Sequence, residues 1–304
     1  MSKTYLGVDV GGTQIKWVLL NDQGDLLDKG RMPTDDGDTS AGAWKAKISR
    51  LMGEMVHRQT SKGAPAPSLG LSAPGLANDK NTMILHMPKR LQGLEGHDWS
   101  KTLGMPVTVL NDGHAACLAE YEAHYKPLGI QHFMMLTLGT GVGGGLVLNG
   151  KLYQGHLQRA GHLGHATVNM YGAPTMTNMP GSLEDAIGNY SVAQRTEGRF
   201  GSTKDLVSAF AQGDEKATQC WLTSVDALAV ALASLTNIIA PEVIVLGGGI
   251  AAGAGQHLLT PLKKAMASYE WRPGGAKVEI KLAKLGGLAG ATGAAHFAKN
   301  NLKI

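Results

Sequence analysis

One order of elements is written twice in this chain. A buried apolar run, Tyr5 to Val10, meets a Gly11-Gly12-Thr13 turn, a second apolar run covers Ile15 to Leu20, and Asn21-Asp22-Gln23-Gly24 turns into a third strand near Leu26 to Arg31. Further along, Phe133 to Leu138 meets Gly139-Thr140-Gly141-Val142-Gly143-Gly144-Gly145, Leu146 to Leu148 resumes the strand, and Asn149-Gly150 is a hairpin turn. Short Gly- and Asn-containing turns between apolar runs are strong hairpin signals. Each half therefore opens with antiparallel strands, and the chain reads as two lobes built on one plan. The length of 304 residues agrees, since one domain usually takes about 100–200.

The rest of each half alternates strands and helices. Ile48, Leu51, Met52, Met55 and Val56 fall at helical spacing within residues 41 to 60, and Gly63-Ala64-Pro65-Ala66-Pro67 breaks the pattern. Leu69 to Ala73 is a short strand ending in Pro74-Gly75, and Met105 to Leu110 is another that delivers Asn111 and Asp112 at its carboxyl end, ahead of a helical Ala115 to Tyr125. Acids at strand ends of open α/β sheets tend to line clefts. Leu206 to Phe210, the long apolar Trp221 to Ile239 and Leu258 to Met266 read as helices; Val243 to Leu246 is a buried strand with Gly247-Gly248-Gly249 as its turn. Val278 to Leu282 is the last strand, and an Ala-rich stretch from 291 to 299 is a closing helix expected to return to the first lobe. The expected class is α/β, with lobes at 1–118 plus 290–304 and at 119–289.

Composition excludes several functions. Gly supplies 42 residues, roughly twice the usual share, but in short runs beside strands rather than as a repeat, so collagen-like and low-complexity chains are out. The net charge of +4 comes from 28 basic and 24 acidic residues scattered among one another, so no basic stripe points to nucleic acid. Cys117 and Cys220 stand far apart in apolar surroundings, which supports no disulfide framework and no Cys-rich metal knuckle. No apolar signal region precedes the first strand, and no window reaches eighteen uninterrupted apolar residues. The expected setting is the cytoplasm, away from membranes.

The glycine turns carry the chemistry. Glycine lets backbone N–H groups approach an anion, Thr13 adds a hydroxyl, and Asp9 offers a carboxylate to hold Mg²⁺ through water. Together with Gly139-Thr140-Gly141 and Gly248-Gly249 this makes three backbone approaches, enough for two phosphates and a nucleoside. A dinucleotide fingerprint fits poorly, because the turns lack the Gly-x-Gly-x-x-Gly order before a helix.

The ordered set Asp9-Val10-Gly11-Gly12-Thr13, Pro74-Gly75, Asn111-Asp112, Leu138-Gly139-Thr140-Gly141-Val142-Gly143, Ala160-Gly161-x-x-Gly164-His165 and Leu246-Gly247-Gly248-Gly249 resembles the ROK family of sugar kinases and repressors. The resemblance spans essentially the whole chain. It implies a two-lobed actin-like, ribonuclease H-like fold with ATP and Mg²⁺ in the interlobe cleft, and transfer of the γ-phosphoryl group to a hexose hydroxyl, often at C6. It also implies a homodimer. Asp112 matches the family's catalytic base, a role that suits a carboxylate accepting the proton of a poor hydroxyl nucleophile. Asn111, Pro74, Gly75, His165 and Glu184 match substrate-side positions; Asp9, Gly11, Gly12, Thr13, Gly139, Thr140, Gly141, Gly248 and Gly249 match the phosphate and nucleotide side.

Two departures stand out. The stretch Thr177 to Glu184 contains none of the family's zinc-binding cysteines, so a thiolate-bound structural zinc is not expected; His156, His162 and His165 would be the only alternative ligands. In Ala160-Gly161-His162-Leu163-Gly164-His165, His162 stands where the family usually has a sugar-binding Glu, exchanging an acceptor-only carboxylate for a ring that can donate. Alternative functions are a kinase using inorganic polyphosphate and a catalytically inactive sugar binder.

Overall fold

A computed structural model describes residues 3–37, 42–87, 90–174 and 178–302; Thr177, at the head of the cysteine-free stretch, lies outside them. The chain forms two compact units. The first runs to Gly129, takes back Leu152–Ala160 and resumes at Gly287, while the second comprises Ile130–Lys151 and Gly161–Gly286.

In the first unit β1 (Thr4–Val10), β2 (Gln14–Asn21) and β3 (Leu26–Pro33) form an antiparallel meander. Helix α1 (Ala43–Thr60) leads to β4 (Ser68–Ala73), the short pair β5 (Leu76–Ala77) and β6 (Ile84–His86), α2 (Trp99–Leu103), β7 (Val107–Asn111) and α3 (Asp112–Glu120). Strands β4 and β7 add in parallel, giving the order β3-β2-β1-β4-β7. Residues of β4 are buried along its whole length, the pattern of a parallel strand covered on both faces.

The second unit repeats the arrangement. The elements between Gly129 and Gly287 are β8 (Phe133–Leu138), β9 (Val142–Leu148), β10 (Lys151–Tyr153), which the boundary at Lys151 divides, α4 (Leu183–Ile187), α5 (Val192–Arg195), α6 (Thr203–Ala211), α7 (Glu215–Ile239), β11 (Val243–Gly247), α8 (Gly248–Ala254), α9 (Gln256–Tyr269) and β12 (Glu279–Leu282). Sheet order is β10-β9-β8-β11-β12, with β8 and β9 antiparallel and β11 and β12 added in parallel. Strand for strand this matches the first sheet, as the repeated sequence order leads one to expect. Helix α7 is long and apolar enough to cross a membrane by length and composition. Its Trp221, Leu228 and Leu232 are buried in the core of the second unit, the position of a core helix.

Helix α10 (Ala289–Asn301) closes the first unit. It sits so close to the sheet that a Cβ on Gly70 of β4 would lie 2.6 Å from the carbonyl carbon of Ala294, and one on Gly7 of β1 would lie 2.6 Å from the amide of Ala295. On its other side a Cβ on Gly293 would overlap the Ala115 backbone of α3. Small residues on all three partners let the backbones approach, which explains the Ala- and Gly-rich composition of this stretch.

Several elements differ from the sequence reading, β9 among them: it begins at Val142, so Gly143 to Gly145, read as turn, lie within the strand. Gly247-Gly248-Gly249 is no free turn: β11 passes directly into α8 at Gly248, whose φ of 84° suits glycine. The helix expected over Ala115 to Tyr125 begins earlier, at Asp112, because Asn111 caps it, and it widens into a π-helix at Tyr121–Tyr125.

Candidate functional site

In the first unit the register of the parallel strands gathers polar residues at their carboxyl ends. Asp9 on β1 lies beside Ser72 on β4, and Ala73 beside Asn111 on β7. Ser72, fully buried, donates its hydroxyl to Asp9 Oδ1 at 2.8 Å. The Asp9 carboxyl also faces the first turn of α10, where a Cβ on Gly290 would come within 2.5 Å of Asp9 Cγ; a helix N-terminus favours a negative neighbour. Burial nevertheless pushes the Asp9 pKa up to about 6; the Ser72 hydrogen bond opposes this, the nearby charge of Asp112 adds to it, and Lys16 opposes it.

Asp112 is the first residue of α3. It keeps an exposed edge, yet crowding by protein atoms raises its pKa above the ordinary carboxylate value, against the pull of the Gly113 amide, which donates to Asp112 Oδ1 at 2.9 Å. A carboxylate pushed toward neutrality is a stronger base for a hydroxyl proton. The cap itself belongs to Asn111: its Oδ1 accepts from Gly113 N at 2.8 Å and His114 N at 3.2 Å, and its Nδ2 donates to Gly75 O at 2.9 Å. Asn111 thereby ties the Pro74-Gly75 turn to the start of α3. Gly75 has a φ of 102° and no room for a side chain against Ile84 and His86.

The first glycine turn is braced from outside. Gly11 N donates to Gln14 O at 3.0 Å, the Thr34 hydroxyl donates to Gly11 O at 2.6 Å and Thr34 N to Thr13 O at 3.0 Å. Thr13 is exposed and Gly11 and Gly12 are half-buried.

The second unit holds its own turn in a corresponding way. Gly139 O accepts from Asn189 N at 2.9 Å, Thr140 O from Tyr190 N at 3.0 Å, and Glu184 Oε2 accepts from Val142 N at 2.9 Å. A Cβ on Gly141 would overlap the Glu184 carboxylate. Glu184 thus lies on the Gly139-Thr140-Gly141 turn, in the first turn of α4, whose start Ser182 caps through Asp185 N. The His162 and His165 rings lie nearly parallel, 6.2 Å apart at an interplanar angle of 12°, and Gly164 between them packs on the Val142 backbone, with Val142 Cβ 2.9 Å from the place of a Cβ. Gly248 rests on the Leu138 backbone at the end of β8, and Gly249 beside it is exposed. His162, His165, Glu184, Gly139 to Gly141 and Gly248 are therefore grouped around the β8–β9 turn.

Among the described residues no three His, Cys, Asp or Glu side chains meet in a metal-holding group. Asp9 on its own is a hard oxygen donor, half-buried, with a second carboxylate nearby. That suits Mg²⁺, which takes one or two carboxylates and completes its shell with water and substrate phosphates. Ser72 and Gly290 escaped the sequence reading; the pairing of β1 with β4, which the sequence leaves open, brings Ser72 to Asp9, and the packing of α10 brings Gly290.

The sequence profile of the ROK family matches residues 5–301. A glucokinase of Halalkalibacterium halodurans is 33% identical over 97% of this chain and 94% of its own length. An N-acetylmannosamine kinase of Escherichia coli O157:H7 is 28% identical over 97% of this chain and 98% of its own. Among solved structures, a ROK family glucokinase from Streptomyces griseus in complex with glucose and AMPPNP superposes with a TM-score of 0.75 at 26% identity, covering 98% of this chain and 100% of that one. With two α/β units of matching sheet order and a family match over nearly its whole length, the chain belongs to the ROK family.

Proposed function

We propose that the protein is a sugar kinase that transfers the γ-phosphoryl group of ATP to a hexose hydroxyl, at C6, with Asp112 as general base. The observation that carries this reading is the pair of crowded carboxylates at the carboxyl ends of β1 and β7, Asp9 beside a braced Gly11-Gly12-Thr13 turn and Asp112 at the start of α3. Asp112 accepts the proton of the acceptor hydroxyl as its oxygen bonds to the γ-phosphorus and the bond to the leaving ADP oxygen breaks. Asp9 would hold Mg²⁺, which when bound would offset the charge of the phosphates. Gly11, Gly12 and Thr13 bind phosphate through their backbone and hydroxyl; Gly139, Thr140, Gly141, Gly248 and Gly249 are the nucleotide-binding set of the second unit.

Pro74, Gly75, Asn111, His162, His165 and Glu184 are the sugar-side set. Asn111 acts chiefly by fixing the Pro74-Gly75 turn and the start of α3, since both of its polar side-chain atoms are engaged there. The glucokinase and N-acetylmannosamine kinase relatives make glucose and N-acetylmannosamine the first sugars to consider, and His162 is the residue we expect to tilt the choice. The same reading places the enzyme in the cytoplasm as a homodimer; exposed Ile238 and Trp271 of the second unit are apolar surface of the kind a partner copy would cover.

The test is ADP release with glucose, mannose, N-acetylmannosamine and N-acetylglucosamine as acceptors, repeated with inorganic polyphosphate as donor. We expect turnover with ATP and one of these sugars, its loss in EDTA, and a fall in kcat of about 10²–10⁴-fold in Asp112→Ala. An Asp112→Ala enzyme keeping a tenth of wild-type kcat would remove Asp112 as base, and polyphosphate used in place of ATP would change the donor.

A further inference from the structure

Gly12 leaves a gap that another side chain fills. A Cβ built on Gly12 would overlap the Arg90 guanidinium, lying 2.6 Å from its Cζ. Arg90 thus lies across the turn whose backbone is the phosphate-binding candidate of the first unit.

The surroundings aim it there. Asp36 accepts from Leu91 N at 2.9 Å and stands 3.9 Å from Arg90 Nε, so it anchors the segment and the near edge of the guanidinium while the Nη end reaches Gly12. Leu91 is held at a φ of 50°, a left-handed conformation uncommon for a non-glycine residue, with its side chain buried in the first unit's core. Such strain persists only where the surroundings over-determine it, and here it sends Leu91 into the core while leaving its neighbour on the turn. The Arg90 side chain remains half exposed, open to a ligand. Lys16, which tempers the charge on Asp9, adds a second cation in the same unit.

We propose that Arg90 is a catalytic residue, its guanidinium bonding the terminal phosphoryl group held at Gly11-Gly12-Thr13. This rests on the phosphoryl-transfer reading above. As the acceptor oxygen bonds to the terminal phosphorus and the bond to the ADP oxygen breaks, the hydroxyl proton passes to Asp112 and the negative charge spreads over the three equatorial phosphoryl oxygens. Arg90 stabilises that charge with two donors in a planar fork, which a lysine cannot reproduce. A side chain at position 12 would displace the guanidinium from the turn.

The experiment compares wild-type protein with Arg90→Ala, Arg90→Lys and Asp112→Asn. Its first arm measures calorimetric binding of inorganic tripolyphosphate and of adenosine, which needs no sugar and no turnover. We expect Arg90→Ala to weaken tripolyphosphate binding at least tenfold and leave adenosine binding unchanged. The second arm measures steady-state kinetics on the best acceptor. We expect kcat to fall about 10²–10³-fold in Arg90→Ala, with the sugar KM within threefold of wild type, partial recovery in Arg90→Lys and further recovery of Arg90→Ala on adding guanidinium ion at non-denaturing concentration. Tripolyphosphate binding and kcat both within threefold of wild type in Arg90→Ala, with Asp112→Asn inactive, would overturn the role of Arg90 while leaving the kinase reading intact. If the wild type phosphorylated none of the sugars, the kinase reading would fail, and the tripolyphosphate arm would still decide whether Arg90 binds phosphate.

Discussion

At Asp9 the fold holds a carboxylate against its own solvation. Its pKa of about 6 lies above the unfolded value of about 3.9, so the folded state binds the proton more tightly than the unfolded one. Stability linked to this group is therefore complete below the unfolded pKa and is lost as pH rises through 6, a loss of about 3 kcal/mol by neutral pH. Asp9→Asn keeps an acceptor for the Ser72 hydroxyl and removes the charge. The ligand-free variant should melt above wild type at pH 7.5, and the gap should close as pH falls toward 4; a gap that does not vary with pH would show that Asp9 titrates as an ordinary surface acid. Activity should be lost in the same variant, the usual cost of stabilising a functional site. Motif order singled out Asp9, Asn111, Asp112 and Glu184 as candidates. What was hidden was their occupation: that Asn111 spends its amide on the helix cap and Gly75, and that Glu184 rests on the second glycine turn, are matters of side-chain direction that spacing does not carry.

Among the elements, α10 shows what glycine is for in this fold. Gly70 of β4 meets the Ala294 backbone of α10, whereas Gly53, exposed within α1, has nothing within 4 Å of where its Cβ would lie. Gly70→Ala should cost about 1–3 kcal/mol by forcing backbone apart, and Gly53→Ala should gain about 0.5–1 kcal/mol through helix propensity. Urea unfolding of the two variants checks the contrast, and equal shifts would mean that α10 has slack against the sheet. The hairpins, most strands and most helices were legible, because apolar periodicity and turn chemistry are local, whereas the parallel pairing of β1 with β4 and of β8 with β11 was not. The junction of β11 with α8 and the early start of α3 were not, since a Gly-Gly-Gly run reads as a turn until the strand ahead of it is seen to feed a helix, and Asn111 reads as a strand end until its side chain is seen to cap one.

For the whole molecule, the first unit is interrupted: its sheet is laid down before Gly129, and the helix that covers Gly7 and Gly70 resumes only after Gly287, beyond the entire second unit. A chain stopped after Gly286 should keep the second unit's β8-β9-β11-β12 core and expose the small-residue face of the first. Hydrogen exchange should then find protected amides in β8 and β11 and rapid exchange in β1 and β4; protection in β1 and β4 equal to that of the full chain would show that α10 is dispensable. On the ribosome the same arrangement imposes an order. The second unit can mature while its predecessor waits with an apolar surface bare, so the first half of the protein finishes last, and that interval is when a nascent chain of this design most needs a chaperone.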